Sequence, residues 1–210
     1  MKIEKIERTN ALRYFILYKP FRVLCQFSAS GEKKTLKSLF DFPIDVYPVG
    51  RLDEDSEGLL ILTNDASLNE KILHPKHAHS RTYLVQVDGK ITDEGIEKLQ
   101  QGFAIKVKGE KHIVKKSFAK IISETPKVPE RNPPIRFRKN IPTSWIELEL
   151  TEGKNHQVRK MTAAVGFPTL RLIRWRIENL SAEKMKSGEV IEMKREELFS
   201  LLNFNRESDE

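Results

Sequence analysis

Short apolar stretches recur along the chain in the patterns that are typical of β-strands. The stretches YFILYK and GLLILT are apolar almost throughout, which predicts buried strands. TYLVQV and SWIELEL instead alternate between apolar and polar residues, which predicts strands with one buried face. On these patterns, the predicted strands cover residues 14–19, 23–28, 58–63, 82–87, 112–122, 144–150 and 169–177.

Apolar residues at helical spacing predict helices in several of the remaining stretches. Asp65 and Thr92 are N-cap candidates, while Gly102 and Gly166 follow the last turns of two helices. Strands and helices mix without a regular β-α-β alternation, so the order predicts an α+β fold with a mixed, largely antiparallel sheet and flanking helices. The predicted helices cover residues 35–40, 66–73, 92–102, 152–166 and 197–202.

The segment over residues 125–143 interrupts this order. It contains five prolines and five basic residues, which predicts an irregular, positively charged loop. Nothing in the chain marks a flexible linker between domains. We therefore predict a short N-terminal extension over 1–13, one domain over 14–203 and a flexible tail over 204–210.

Composition and charge narrow the class of protein. A hydrophobic content of 39% with 32% charged residues is ordinary for a soluble globular protein, and no apolar run approaches the roughly 18 residues of a membrane span. The N-terminus lacks the apolar core of a secretory signal, and the single cysteine, Cys25, indicates a reducing compartment and a packing role, so we expect a cytoplasmic protein. The net charge of +7 favours polyanionic partners, nucleic acid first.

Within the stretch GRLDEDSEGLLILTND, four acidic residues crowd positions 53–57, at the entrance of the predicted central strand. They permit three interpretations, and the four acids are Asp53, Glu54, Asp55 and Glu57. A calcium loop is disfavoured because Asn64 stands where such a loop needs a bidentate glutamate. Paired carboxylates for glycosidic chemistry would require Asp53 and Asp55 to share a face of an extended segment. The third interpretation is an exposed turn that leads into a core strand.

Four sequence motifs, which occur in the same order as in a known protein family, support a more specific interpretation. GRLDEDSEGLLILTND closely resembles the catalytic motif of the RsuA-type pseudouridine synthases, and YFILYKP resembles the first motif of that family. RTYLVQV and LTEGKNHQVRKMTAAVGFPTLRLIR resemble two later motifs. In addition, RNPPIRFRKNIPTSW resembles a segment of one branch whose members act on large-subunit rRNA. The N-terminal RNA-binding module that is frequent in the family is not expected here, since about 13 residues precede the first motif.

The resemblance implies an α+β pseudouridine synthase fold with a central RNA-binding cleft. It also implies an enzyme that detaches uracil from ribose, turns it and rejoins it through C5, which requires no cofactor and no metal. The resemblance assigns the essential carboxylate to Asp53, a cationic partner to Arg159 and the ring that stacks on the target base to Tyr83. Leu172 and Ile173 are candidates for an aliphatic wall beside the base.

Basic residues outside these motifs have a separate predicted task. Contacts to RNA phosphates position the substrate without reading its sequence. The candidates for such contacts are Arg51, Arg136, Arg138, Lys139, Lys154, Arg171, Arg174 and Arg176. A metal site at His74, His77 and His79 is disfavoured because cysteine and acidic partners are absent nearby in the sequence.

The sequence therefore predicts a monomeric isomerase whose partner is large-subunit rRNA. The alternative is a protein of the same fold that binds rRNA or assists ribosome assembly without catalysis. A nucleoside or glycoside hydrolase is a third class, but a convincing second acid is missing. The exact target uridine and the form of the substrate, free rRNA or an assembly particle, stay open at this point.

Overall fold

The computed structural model describes residues 11–136 and 141–204. Most of the predicted N-terminal extension, the predicted tail beyond residue 204 and the candidates Arg138 and Lys139 lie outside the described residues.

Thirteen strands and four α-helices form the described part of the chain. The strands are β1 (Tyr14–Lys19), β2 (Val23–Leu24), β3 (Lys34–Thr35), β4 (Tyr47–Pro48), β5 (Glu57–Thr63), β6 (Arg81–Asp88), β7 (Ala104–Val107), β8 (Glu110–Ile113), β9 (Phe118–Ile122), β10 (Thr143–Leu150), β11 (Thr169–Ile177), β12 (Leu180–Ser181) and β13 (Val190–Met193). The α-helices are α1 (Ala66–Leu73), α2 (Asp93–Gln101), α3 (Gln157–Ala164) and α4 (Arg195–Leu201), and two 3₁₀ turns cover Leu36–Ser38 and Pro75–His77.

Nine of the strands form one sheet. Its main path runs β13-β1-β5-β11-β6-β10-β9, while β4 pairs with β5 and β12 pairs with β11. Every ladder of this sheet is antiparallel except the one between β5 and β11, which is parallel. The predicted α+β fold with a mixed, largely antiparallel sheet and flanking helices is confirmed.

The parallel pair β5–β11 requires a glycine at the start of β5. Gly58 has φ +102°, and a Cβ atom built there would lie 2.3 Å from the carbonyl oxygen of Arg174. Only a residue without a side chain permits this approach of the two backbones. Gly58 therefore fixes the position of β11 beside the acidic stretch.

Side chains on the two faces of the sheet pack into separate clusters. Because side chains alternate along a strand, Leu59 and Ile61 of β5 belong to one cluster, while Leu60 and Leu62 pack on the opposite face. On the strands β6, β10 and β11, a third cluster includes Tyr83 and lies on the face opposite the first. Residues of this third cluster also line part of a cleft in the protein surface.

Two of the predicted helix starts are confirmed by their caps. The carboxylate of Asp65 accepts hydrogen bonds from the backbone N–H groups of Ser67 and Leu68, at 3.0 and 3.3 Å, at the start of α1. The hydroxyl of Thr92 accepts from the N–H of Gly95 at 3.2 Å at the start of α2. Among the described residues, no helix has the length and apolar character that crossing a membrane requires.

Several boundaries differ from the prediction. The strand predicted over 23–28 is only β2, Val23–Leu24, and the helix predicted over 152–166 is α3, Gln157–Ala164. The stretch predicted as a helix over 35–40 is a single 3₁₀ turn, and the predicted strand over 112–122 is divided between β8 and β9. The division arises because Ser117 N–H donates to the carbonyl of Gln100 at 3.1 Å and leaves the strand ladder. At the other end of the chain, Phe204 is buried against Phe199 with ring centroids 5.4 Å apart, so the core includes the first residue of the predicted tail.

Candidate active site

A cleft of about 780 Å³ lies where β5, β6 and β11 approach the loop before α3. Its wall includes Asp53 from the acidic stretch, Tyr83 from β6, and Leu172 and Arg174 from β11. His156, the residue before α3, contributes to the same wall. The structure therefore brings the predicted carboxylate and the predicted stacking ring into one cavity.

Asp53 begins a turn that leads directly into β5. The N–H of Ser56 donates to the carbonyl oxygen of Asp53 at 3.1 Å, which closes a four-residue turn. Residues 53–56 form a turn and not an extended segment, so the condition under which Asp53 and Asp55 would share a face is not met. Of the carboxylates in the stretch, Asp53 keeps 38% of its side chain exposed and lines the cleft.

Hydrogen bonds from the end of β1 and the segment after it hold this turn in place. The N–H of Arg22 donates to the carbonyl oxygen of Glu54 at 2.8 Å. The ammonium group of Lys19 is fully buried and donates to the carbonyls of Pro20 and Val23 at 2.9 and 2.8 Å, while the Glu54 carbonyl lies 3.5 Å away. Burial lowers the pKa of Lys19 to about 8. The first motif therefore acts as the support for the acidic turn.

Each acidic residue of the stretch has its own basic partner from a different part of the chain. The three cations among these partners, Lys33, Arg159 and Arg171, reduce the repulsion that four neighbouring carboxylates would otherwise create. The closest contacts are Asp53 Oδ2 to His156 Nδ1 at 3.2 Å, Glu54 Oε2 to Lys33 Nζ at 2.8 Å, Asp55 Oδ2 to Arg159 Nη2 at 3.1 Å, and Glu57 Oε2 to Arg171 Nη2 at 2.7 Å.

The predicted pairing of Asp53 with Arg159 is corrected by these contacts. Arg159 extends from α3 toward the turn, but its Nη2 donates to the carbonyl oxygen of Asp55 at 2.9 Å and contacts the carboxylate of the same residue. The turn at Asp53 presents Asp55, not Asp53, to α3. Arg159 Nε is buried and has no hydrogen-bond partner among the described residues, so the guanidinium retains an unused donor.

His156 is the residue that contacts Asp53 directly, and the sequence analysis did not single it out. It has φ +51°, the left-handed conformation, immediately before α3. Such a conformation is uncommon outside glycine and asparagine, and it directs the imidazole into the cleft. No pattern in a single sequence marks this conformation, although the NHQVRKM motif contains the residue.

The two candidates for the aliphatic wall separate because β11 alternates its side chains. Leu172 packs with Tyr83 and lines the cleft. Ile173 is fully buried in the cluster on the opposite face of the sheet, so its assignment to the base pocket is wrong.

Three predicted phosphate contacts on β11 have other structural roles. Arg171 is 7% exposed and forms a bidentate ion pair with Glu57, at 2.8 and 2.7 Å. It also donates a hydrogen bond to the carbonyl oxygen of Pro129. Arg174 is 5% exposed and donates to the carbonyl of Leu59 at 2.7 Å, beneath the cleft. Arg171 therefore uses its guanidinium inside the protein, as a buried charge requires, and does not line the cleft. Arg174 stays a predicted phosphate contact, because it lines the cleft and its Nη2 has no hydrogen-bond partner among the described residues.

Arg176, the third of these residues, contacts Glu147 of β10 at 3.2 Å and does not line the cleft. Other predicted phosphate contacts are exposed. Arg51 and Lys154 line the cleft, and Arg136 is exposed in the proline-rich loop.

Basic residues that the sequence analysis missed complete the rim of the cleft. The hairpin of β7 and β8 brings Lys108 to the cleft, and Lys115 follows β8 at the same rim. Glu152 holds this hairpin next to α3, because its carboxylate accepts from Lys115 N–H and from Gln157 Nε2, at 3.1 and 2.8 Å. The described residues contain no group of three or more histidine, cysteine, aspartate or glutamate side chains arranged for a metal ion.

The arrangement can support chemistry on an anionic substrate. A half-exposed carboxylate faces a cavity that has an aromatic ring on its wall and lysines on its rim, which suits an enzyme that acts on a nucleic acid. A sequence model described as RNA pseudouridylate synthase matches residues 13–164. The chain therefore belongs to the RNA pseudouridylate synthase family, and the resemblance seen in its motifs is confirmed.

The chain is also similar to individual proteins named as pseudouridine synthases. The chain is 42% identical over 177 residues to the ribosomal large subunit pseudouridine synthase E of Vibrio parahaemolyticus, an alignment that covers 84% of this chain and 72% of the relative. It is 43% identical over 173 residues to the protein of the same name from Xanthomonas axonopodis pv. citri, with 79% and 88% covered. A crystal structure of a pseudouridylate synthase superposes with a TM-score of 0.72 at 28% identity and covers 91% of this chain and 74% of that chain.

Proposed function

We propose that this protein converts a uridine of large-subunit rRNA to pseudouridine, with Asp53 as the catalytic carboxylate. The observation that carries the proposal is the position of Asp53, which is half exposed in the same cavity as Tyr83 and Leu172. The names of the relatives from Vibrio and Xanthomonas support large-subunit rRNA as the substrate.

In the proposed reaction, the target uridine leaves its stack and enters the cleft between Tyr83 and Leu172. An aromatic side chain is the usual surface on which a protein holds an unstacked RNA base. The N1–C1′ bond then breaks, positive charge develops at C1′, and the carboxylate of Asp53 stabilises this charge, as carboxylates do in glycoside hydrolysis. Only a carboxylate that is both ionised and accessible can do so, and Asp53 meets the second condition in the free protein.

The detached uracil rotates and forms a bond from C5 to C1′, after which the C5 hydrogen leaves as a proton and N1 gains one. The isomerisation is balanced without an oxidant, a reductant or a group donor, so we propose that no cofactor takes part. Arg159, on α3 beside the turn, supports the carboxylates of the site as a permanent cation.

Exposed basic residues around the cleft are proposed to hold the RNA backbone. Their number and spread suit a strand that passes over the rim, and each contact to a phosphate contributes to affinity without reading a base. The proposed contacts are Arg51, Lys108, Lys115, Arg136 and Lys154. We also propose that residues 14–203 form the catalytic domain and that the protein acts as a monomer in the cytoplasm.

The test is release of tritium from unmodified large-subunit rRNA that carries uridine labelled at C5. Wild type is expected to release tritium, whereas Asp53→Asn is expected to release none. Glu54→Gln is the matched control, because Glu54 lies in the same turn but contacts Lys33 and not the cleft. Release by the Asp53→Asn protein would remove the residue from its catalytic role. RNA binding by wild type without any release would favour the alternative of a ribosome-assembly protein.

A further inference from the structure

A second cavity, of about 430 Å³, lies on the other side of the acidic turn. It shares Arg51, Leu52, Asp53 and His156 with the cleft, so the two cavities meet at the catalytic carboxylate. Its outer wall comes from the segment after β1, which includes Phe21.

Two arginines lie against the ring of Phe21. The guanidinium carbon of Arg131 is 3.8 Å from the ring centroid, and that of Arg22 is 5.6 Å from it. Arg131 belongs to the proline-rich loop, whereas Arg22 belongs to the wall of the second cavity. We name Arg22 and Arg131 the Phe21 arginine pair.

Both members of the pair are held in position by the backbone. Arg131 donates from Nε to the carbonyl of Pro133 at 2.9 Å and from Nη1 to the carbonyl of Leu170 at 3.2 Å. Arg22 has φ +61° and is fixed to the acidic turn through its N–H. The guanidinium of Arg131 is therefore fixed by the fold, whereas the backbone of Arg22 is fixed and its exposed side chain extends over Phe21.

The charge of the pair is not neutralised within the described part of the chain. Every acid of the neighbouring turn already has another basic partner, and no carboxylate described here lies at ion-pair distance from either arginine. Burial lowers the pKa of Arg131, and the charge of Glu57 opposes this effect, while the charges of Arg171, Arg22 and Arg159 lower the pKa further. Like charges this close favour a bound anion.

We propose that the Phe21 arginine pair binds a phosphodiester group of the RNA strand next to the target nucleotide. The proposal rests on the proposed function, because it assigns the path of the strand on the far side of Asp53. Guanidinium groups match the geometry of phosphate oxygens, and stacking on Phe21 leaves the Arg22 guanidinium and Nη2 of Arg131 to donate. A nucleotide in the second cavity would thus have its backbone held while its neighbour enters the cleft.

The experiment measures the affinity of the protein for an in vitro transcribed, unmodified large-subunit rRNA as a function of salt concentration. Arg131→Met removes the charge and keeps an apolar chain against Phe21, and Arg22→Asn removes the charge and tolerates a left-handed conformation. Affinity falls as the salt concentration rises, so the slope of log affinity against log salt is negative. Each variant is expected to reduce the magnitude of this slope by about 0.7, the value for one phosphate contact to a single strand. Arg131→Lys keeps the positive charge, so it should have the slope of wild type.

The matched control is Arg195→Met. The guanidinium of Arg195 lies 4.0 Å from the ring centroid of Phe199, outside both cavities, so the change in charge and stacking is the same. This variant should have the slope of wild type. Thermal unfolding of all variants separates loss of the fold from loss of the contact.

Tritium release distinguishes failure of this inference from failure of the proposed function. In Arg131→Met and Arg22→Asn, the KM for the transcript should rise several-fold, while kcat stays within about twofold because the reacting atoms are not touched. Slopes equal to that of Arg195→Met, or a fall in kcat with KM unchanged, would overturn the phosphate site. Absence of release by wild type would defeat the proposed function but leave the salt measurement decisive for the pair.

Discussion

Arg159 contacts Asp55 through two oxygens, the carboxylate at 3.1 Å and the backbone carbonyl at 2.9 Å. The guanidinium therefore lies beside the turn that carries Asp53 without contacting Asp53 itself. Its Nε has no acceptor in the described part of the structure. The free protein thus holds the cation at Asp55, two residues after the proposed catalyst.

The first prediction concerns this arginine. Arg159→Met should lower kcat by about 10- to 10²-fold, because the turn that carries Asp53 loses its cation and a hydrogen bond of a charged group, worth about 1.5 to 3 kcal/mol. Asp55→Asn should lose less than about fivefold, because the bond from Arg159 to the backbone carbonyl stays and the amide oxygen can still accept. Single-turnover tritium release measures both effects. Equal losses in the two variants would mean that the carboxylate of Asp55, and not the position of Arg159, matters for the reaction.

The second prediction concerns the buried ion pair between Glu57 and Arg171. Both side chains are almost fully buried, at 2% and 8% exposure, so each carboxylate or guanidinium left alone would be an uncompensated charge. Glu57→Met and Arg171→Met should each lower the free energy of unfolding by about 3 to 5 kcal/mol. The double variant Glu57→Met with Arg171→Met should lose clearly less than the sum of the single losses. Urea unfolding measures all three.

The pair Arg13–Glu192 is the control for this comparison. Its side chains are 34% and 47% exposed, and the same substitutions there should cost about 1 kcal/mol or less. If the exposed pair and the buried pair gave similar losses, burial would not be the cause of the effect.

The strands and helix caps could be predicted from the sequence because each depends on residues that are close together along the chain. The run of β5 and the alternation of β10 follow from the side-chain period of a strand, and Asp65 is a cap because its carboxylate meets N–H groups two and three residues ahead. The site carboxylate was predictable only through the motif resemblance. Composition alone could not select Asp53 from four neighbouring acids.

The partners of charged residues were not predictable, because they depend on contacts between distant segments. Arg171 and Glu57 are 114 residues apart, and nothing near either one indicates a buried pair. The period of β11 could have excluded Ile173, since Leu172 and Ile173 must face opposite ways. The positive φ of His156 and the hairpin that brings Lys108 to the cleft had no clear signal in the sequence.

The third prediction concerns the pH dependence of stability. Burial lowers the pKa of Lys19 from the usual 10.5 to about 8. Between these two values the unfolded chain binds more protons at Lys19 than the folded chain does, so the free energy of unfolding rises with pH across this window. The full gain corresponds to about 3 kcal/mol. Below about pH 8, the cost of the buried charge is present in full.

Lys19→Met should abolish this rise, even though the variant is less stable at every pH because three carbonyl groups lose their donor. The measurement is urea unfolding of both proteins between about pH 8 and pH 9.5. The upper limit matters because burial raises the pKa of Tyr14 to about 12, and this group makes stability fall as pH rises above its usual value of 10. Identical slopes in wild type and variant would show that Lys19 does not titrate in the window.

The last prediction concerns His156, whose Nδ1 lies 3.2 Å from Oδ2 of Asp53. When Nδ1 carries a proton, the imidazole at this distance attracts the carboxylate of Asp53 and helps to position it. His156→Gly removes the imidazole but accepts the φ of +51°, so it should lower kcat by about tenfold, equivalent to about 1.4 kcal/mol, with KM nearly unchanged. His156→Asn also tolerates this backbone and offers an amide N–H close to the position of Nδ1, so it should restore most of kcat. His156→Ala adds backbone strain without a donor and should be the least active and the least stable of the three. Equal kcat in the glycine and asparagine variants would mean that His156 acts only through the backbone at the start of α3, and the contact with Asp53 would have no part in the reaction.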